Sequence, residues 1–369
     1  MDYAQERITT LHDLTDPTPR APLGESAVVV PIAGERPGEV TPEHVFETLA
    51  TLSPADVVVP LRAPADTAAA FREWVQSFDL PVTVLWCNAD GVVEILGDHG
   101  LDGPSGKGQD VWLGLGVAAE RAEYVAVHDA DATTYSETHV PRLLAPLQAG
   151  FSFVKGFYAR IEDGKLYGRL TRLFVAPLLS ALAEQYDPPL LSYLSAFRYP
   201  LSGEFAFTAE AARRVRAQRN WGLEIGLLGE AYTTVGRNHT AQVDLGVHRH
   251  DHRPVDGNSG LSAMADHVAD ALFCALRDHG IEPEYSSLVE SYRTAGKRYV
   301  KQYAADASFN GLSYDPDSEL RQVRRYATSI EPPGRDRRLP AWDDVDLSPS
   351  AVLAASRAST ARTGCPRME

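Results

Sequence analysis

The chain alternates unbroken apolar runs with polar, helix-patterned stretches. SAVVVPIAG (26–34), ADVVVPLRA (55–63) and PVTVLWCN (81–88) are continuous and rich in β-branched residues, the pattern of strands covered on both faces. After the first run, Thr41 and Pro42 precede Val45, Phe46, Leu49 and Leu52 at helical spacing. After the second, Asp66 stands where it can cap the helix TAAAFREWVQSF. A loop from Gly103 to Gly108 then leads into a helix through Trp112, Leu115 and Ala118, and YVAVHDAD (124–131) is a fourth strand that ends in two acids. This β-α-β-α-β-loop-α-β order predicts an α/β fold with a parallel, doubly wound sheet. Ligands of such sheets sit beyond the carboxyl ends of the strands, which is where Asp129 and Asp131 fall.

The second half is less regular. Strands are expected over 151–160 and 241–250, helices over 170–185 and 224–236, and a further segment over 205–217. Long amphipathic helices cover about 262–279 and 284–303. The organisation that follows is an N-terminal arm (1–24), two halves of one sheet domain (25–135 and 136–258), a helical extension (259–330) and a flexible tail (331–369) rich in Pro, Arg, Asp, Ser and Ala.

Charge narrows the function. The 369 residues carry 35 basic and 50 acidic side chains, a formal charge of −15, so a general nucleic-acid binder is excluded, while a small anionic substrate needs only a local basic pocket. Cys87, Cys274 and Cys365 are far apart without CxxC spacing, which speaks against a zinc site or disulfide framework. The first twenty residues have no apolar core, and no run approaches the roughly 20 apolar residues that span a bilayer. A cytoplasmic protein without a transmembrane segment is the expectation.

Several segments carry candidate chemistry, each with a plainer alternative. Asp129-Ala130-Asp131 places two carboxylates one residue apart at a strand end, an arrangement that can turn hard oxygens toward Mg²⁺ or Mn²⁺, or be two solvated loop acids. Gly106-Lys107-Gly108 offers a close backbone approach and a cation for phosphate, or a surface lysine. The run His248 to Arg253 follows an apolar strand and supplies imidazoles for a metal and guanidinium groups for phosphate, or a charged loop. Glu224 stands among apolar residues at a helix start, able to orient a hydroxyl or simply to cap. Gly168-Arg169-Leu170-Thr171 opens another helix and makes an anion site or an ordinary cap. Leu201 to Phe205 is a tight turn entering a strand.

Taken in order, these segments resemble the glucosyl-3-phosphoglycerate synthase and mannosyl-3-phosphoglycerate synthase family, retaining glycosyltransferases of family 81. The resemblance runs from about Ser26 to Pro254 and is strongest in HDAD, FVKGFYAR, GRLTRLFVAPLL, LSGEFAFT, WGLEIGLL and QVDLGVHRHDHRP. It implies a GT-A (Rossmann-like) mixed, mostly parallel sheet flanked by helices, with a C-terminal helical extension. It also implies a divalent metal, Mg²⁺ or Mn²⁺, a nucleoside-diphosphate sugar donor (UDP-glucose or GDP-mannose) and 3-phosphoglycerate or a similar anion as acceptor. On this resemblance Asp131, Asp129 and His250 hold the metal. Pro31, Ile32, Ala33, Gly34, Glu35, Lys107, Asp129, Ala130 and Asp131 hold the donor, and Gly168, Arg169, Thr171 and His252 hold the acceptor. Glu224, Asp131 and Lys107 serve the chemistry. A homodimer is also implied, with the helices after Pro254 as its interface.

The sequence departs from the family at Gly34, where an Asn is usual, and at Val59-Pro60-Leu61-Arg62, where an acid-and-serine turn is usual. His248 replaces a common Arg and His252 a common Asn. These changes touch base and phosphate recognition rather than the metal–diphosphate centre. Two rival activities remain: the same donor site with a lipid-phosphate or glycan acceptor, and a sugar nucleotidyltransferase, of whose activating loop PIAGERPG is a faint echo. A third rival is a binder of nucleotide-sugars without turnover.

Overall fold

The computed structural model describes residues 5–34, 42–249 and 260–363. Its strands are β1 (Thr9–Leu11), β2 (Ser26–Val29), β3 (Ile32–Ala33), β4 (Asp56–Arg62), β5 (Val82–Trp86), β6 (Tyr124–Val127), β7 (Phe153–Glu162), β8 (Lys165–Leu166), β9 (Phe205–Thr208) and β10 (Thr240–His248). In space the sheet runs β1-β10-β7-β9-β6-β2-β4, with β3 and β5 also paired to β4 and β8 paired to β7. All pairs are parallel except those of β9 with β6 and β7 and of β8 with β7. The fold is therefore a mixed, mostly parallel α/β sheet flanked by helices.

The apolar runs explain this layering. Every residue of β2 is buried, as are the first six of β4, because helices cover both faces. Pro31 lacks an amide hydrogen, so the ladder breaks between β2 and β3, yet both pieces stay in register with β4 (Val29 opposite Val58, Ile32 opposite Leu61). The helix Lys107–Ala119 lies across β2 and β4 and is buried nearly end to end. The two long helices of the extension pack on the helices of the second half. Helix Gly260–Asp278 covers Leu223–Thr234, and Tyr285–Phe309 covers Ala176–Gln185.

Three segments differ from their sequence reading. The N-terminal arm is not loose: Thr9–Leu11 adds a parallel edge strand to β10, and the buried Arg142 guanidinium donates to Asp13, Asp16 and the Pro17 carbonyl. The 205–217 segment is a strand only as far as Thr208, whose hydroxyl accepts from Ala211 N and so caps the helix Ala209–Arg214. The stretch read as a flexible tail is packed. Leu339 exchanges backbone hydrogen bonds with Ala217, and helix Pro349–Thr363 lies on helix Asp90–Asp98. Ser356 Oγ accepts from Trp86 N at 2.8 Å. Composition hid this because the anchors are isolated residues in polar surroundings.

The strongest anchor is Trp342, stacked on Trp112 with ring centroids 3.9 Å apart. Trp342 Nε1 donates to the Trp112 carbonyl, and Trp112 Nε1 donates to the Pro340 carbonyl. Trp342→Ala should lower unfolding stability by about 3–5 kcal/mol, the usual range for emptying a buried indole site. Urea denaturation followed by circular dichroism measures it, and a loss below 1 kcal/mol would contradict the anchoring role.

Candidate active site

The sheet's carboxyl edge gathers charge. β6 ends at Val127, and two residues later Asp129 stands beyond the edge. Lys107 opens the helix Lys107–Ala119. Glu224 lies in the first turn of helix Leu223–Thr234. Lys107 Nζ meets Asp129 Oδ1 at 2.7 Å and Glu224 Oε1 at 2.9 Å. The approach needs Gly108, since a side chain there would overlap the backbone of Gln218, and Gln109 N donates to the Arg219 carbonyl. That contact draws the start of one helix to the segment that leads into the other. Burial alone would lower the Lys107 ammonium, but the two carboxylates outweigh it and hold it well above its ordinary value. The lysine is therefore a permanent cation.

A second lysine lies beneath the first. Lys155, in β7, is 1 % exposed. Its Nζ donates to the Ser202 carbonyl at 2.6 Å and sits 5.2 Å from the centre of the Phe205 ring. Burial pulls it down to about 8, against the pull of Glu224 and Glu204. Glu204 is itself buried, with Oε1 3.7 Å from His248 Nε2. Two ammonium groups thus face three carboxylates, with Asp131 two residues beyond Asp129.

β7 and β10 run on past this edge as a two-stranded projection, with His248 opposite Arg160. His248 is fully buried and stacks on Tyr158 at 4.1 Å. Tyr158 meets Tyr199 at 4.8 Å. The end of β10 is tied to the acidic loop, because Thr133 N donates to the Arg249 carbonyl at 2.8 Å and Arg249 N to Thr134 Oγ1 at 3.0 Å. The residue before His250 is thereby fixed beside the Asp131 loop. His250, His252 and Glu35 lie outside the described residues. Among the described residues no three His, Cys, Asp or Glu side chains form a ready metal set. The donors present suit a hard divalent cation nonetheless: Asp129 and Asp131 are both half-buried carboxylates. A side chain at Gly203 would overlap the Asp129 carboxylate, so the glycine leaves that group its space.

Pro31, Ile32, Ala33 and Gly34, the candidate donor segment, lie where β3 meets the end of β4. Gly34 N donates to the Arg62 carbonyl at 3.3 Å. Arg62 Nε pairs with Asp110 Oδ2 at 2.8 Å. Burial raises the Asp110 carboxyl to about 6 even though Arg62 opposes it. Asp110 follows Lys107 by one helical turn. The candidate acceptor turn, Gly168 to Thr171, follows β8. Gly168 has φ +73°, and a Cβ there would come within 2.7 Å of the Tyr199 hydroxyl. Thr171 starts a π-helical turn, Thr171–Val175, a rare element that recurs at functional sites. Its hydroxyl oxygen is buried and has no hydrogen-bond partner among the described residues. Arg169 is half in solvent and pairs with Glu319.

No protein-family model matches the chain. It is 33% identical to the glucosyl-3-phosphoglycerate synthase of Methanococcoides burtonii over 371 residues, covering 92% of this chain and 90% of the relative. The chain belongs to the glucosyl-3-phosphoglycerate synthase family. It is a glycosyltransferase. Its fold is shared with the Mycobacterium tuberculosis glucosyl-3-phosphoglycerate synthase crystallised with Mn²⁺, UDP-glucose and phosphoglyceric acid (TM-score 0.56, 27% identity, 75% of this chain and 89% of that one). The same mycobacterial enzyme with Mg²⁺ and UDP matches with TM-score 0.54 and 29% identity, over 75% and 89% of the two chains.

For this glycosyltransferase the structure brings Lys107, Asp129 and Glu224 into contact and sets Pro31–Gly34 and Gly168–Thr171 at separate turns. Sequence reasoning missed Lys155, whose signal was a lone lysine inside an apolar strand, and Glu319, which no local pattern marks. Behind the acids, His128 and His139 are buried, with Tyr135 between them (ring centroids 5.1 and 5.2 Å). Burial and the neighbouring His139 lower His128 from 6.5 to about 3. Burial and Arg142 lower His139 to about 4. Unfolded imidazoles take protons near pH 6.5 and folded ones do not, so stability should fall as pH drops from about 6.5 toward 4. His139→Phe should shrink the fall in urea midpoint between pH 7 and pH 5, and an unchanged fall would refute this origin.

Proposed function

We propose that the protein transfers glucose from UDP-glucose to the hydroxyl of 3-phosphoglycerate with retention of configuration, using Mn²⁺ or Mg²⁺. The observation that carries the reading is the contact of Lys107 with both Asp129 and Glu224, because it puts a permanent cation, a metal-type carboxylate and a sugar-orienting carboxylate at one point. UDP-glucose is preferred to GDP-mannose because the mycobacterial relative binds it.

Asp131, Asp129 and, by its place next to the tethered Arg249, His250 would hold the metal. Bound there, the metal supplies positive charge to the diphosphate. Pro31 to Glu35 hold the nucleoside. Lys107 donates to the diphosphate and stabilises the charge that grows on it. Glu224 accepts from a sugar hydroxyl and fixes the ring. Gly168, Arg169, Thr171 and His252 hold the acceptor, with Arg169 meeting a phosphate or carboxylate and the Thr171 hydroxyl donating to it. The acceptor oxygen then bonds to the anomeric carbon from the face the diphosphate leaves. The bond from C1 to the diphosphate oxygen breaks, its electron pair departs with UDP, and the hydroxyl proton passes to the departing oxygen. In this reading no side chain is assigned as the nucleophile of a double displacement, so positioning and charge carry the rate.

Calorimetry with UDP-glucose, GDP-mannose and ADP-glucose in Mn²⁺ should show binding of UDP-glucose, and 3-phosphoglycerate should then be consumed with release of UDP. Binding of another donor, or no turnover, overturns the reading. Asp131→Ala should abolish metal-dependent donor binding, and full retained activity would sink its role. Lys107→Ala should cut kcat by roughly 10²–10³, the usual effect of losing one pre-set charge-stabilising donor. Release of pyrophosphate from a nucleoside triphosphate would mark a nucleotidyltransferase instead.

A further inference from the structure

The anion turn contains two arginines that the structure uses differently. Arg172 has a partner at each of its three nitrogens. Its Nε donates to the Tyr167 carbonyl, Nη1 to Glu319 Oε2 at 3.0 Å and Nη2 to the Leu166 carbonyl, and its flat face lies 4.9 Å from the Tyr303 ring centre. Its side chain is 7% exposed. Arg169 is 46% exposed, and it gives only Nε, at 3.0 Å, to the other oxygen of the same carboxylate. Glu319 is 5% exposed and spends one oxygen on each arginine. It arrives from a distant part of the chain, the first turn of helix Pro316–Tyr326, whose cap Asp315 accepts from Asp317 N and Ser318 N.

We infer that Glu319 is a positioning residue for acceptor binding, which grips Arg169 by Nε so that its two terminal nitrogens form a preset fork for the anionic acceptor. The inference rests on the proposed acceptor role of Arg169. Charge and geometry both favour it. Arg172 neutralises the carboxylate, so one full positive charge remains, and it is the exposed guanidinium that is left to serve. The guanidinium is planar in itself, and holding it at Nε fixes the direction of that plane and leaves Nη1 and Nη2 to meet a phosphate or carboxylate in bidentate fashion. Glu319 also removes the rotamer entropy that an exposed arginine would lose on binding.

The sign of the effect separates this from simple electrostatics. A carboxylate near an anion site should repel the acceptor, so deleting its charge would tighten binding if charge were all that mattered. Under the clamp, Glu319→Gln raises the acceptor KM about tenfold, the equivalent of one charge-assisted hydrogen bond, while the donor KM stays near that of the parent; the thermal midpoint falls, because the buried Arg172 loses its counter-charge. Glu319→Asp keeps the charge but withdraws the oxygens by one carbon, so it too should raise the acceptor KM. It decides the matter if the glutamine variant does not fold. The measurements are steady-state kinetics on the full chain with UDP-glucose, Mn²⁺ and 3-phosphoglycerate, with Arg169→Ala alongside. A lowered or unchanged acceptor KM in the Glu319 variants, with Arg169→Ala raising it, overturns the clamp alone. An unchanged acceptor KM in Arg169→Ala overturns the acceptor reading and the clamp together.

Discussion

One lysine between two carboxylates organises this site. Lys107 is the first residue of its helix, and it joins the strand-end acid Asp129 to Glu224, more than ninety residues further along the chain. Each group would be costly alone at this depth, because desolvation of an unpaired charge outweighs most packing gains. Together they are tolerable, and the ammonium stays charged. A cluster paired in this way suits the proposed uptake of a metal and a diphosphate, since neither would arrive at a bare charge.

The support for this cluster is a layer of aromatic rings and buried polar groups. Lys155 braces the turn at Ser202 from below, and Tyr158, Tyr199 and His248 stack along the projecting strands toward the turn at Gly168. The turns at Ser202 and Gly168 are thus linked through aromatic rings. The exchange of an arginine for His248 fits this role. An imidazole ring, buried and flat against Tyr158, packs where a guanidinium with five N–H donors would need more partners.

The sequence made the sheet legible because its strands are buried on both faces and so read as unbroken runs. Asp129, Lys107 and Glu224 were legible because they punctuate glycine-rich or apolar stretches at element ends. What stayed hidden was whatever depends on distant segments meeting. Glu319, Trp342 and the edge strand at Thr9 look like ordinary surface residues locally, and only the tertiary fold buries them. The helix at 209–214 was obscured differently, since an apolar strand runs straight into it and the break is marked only by Thr208.

The Trp342–Trp112 stack bears on how the chain acquires its structure. Residues near the end of the chain complete the cover over helices and a strand made within its first hundred or so residues. During synthesis the early half emerges with that face open, and it waits for more than two hundred residues before its partner exists. Such long-range closure slows folding and leaves apolar surface uncovered for the interval. The early half is therefore a poor candidate for production alone, and a chain cut before residue 340 would expose the indole of Trp112 rather than end cleanly.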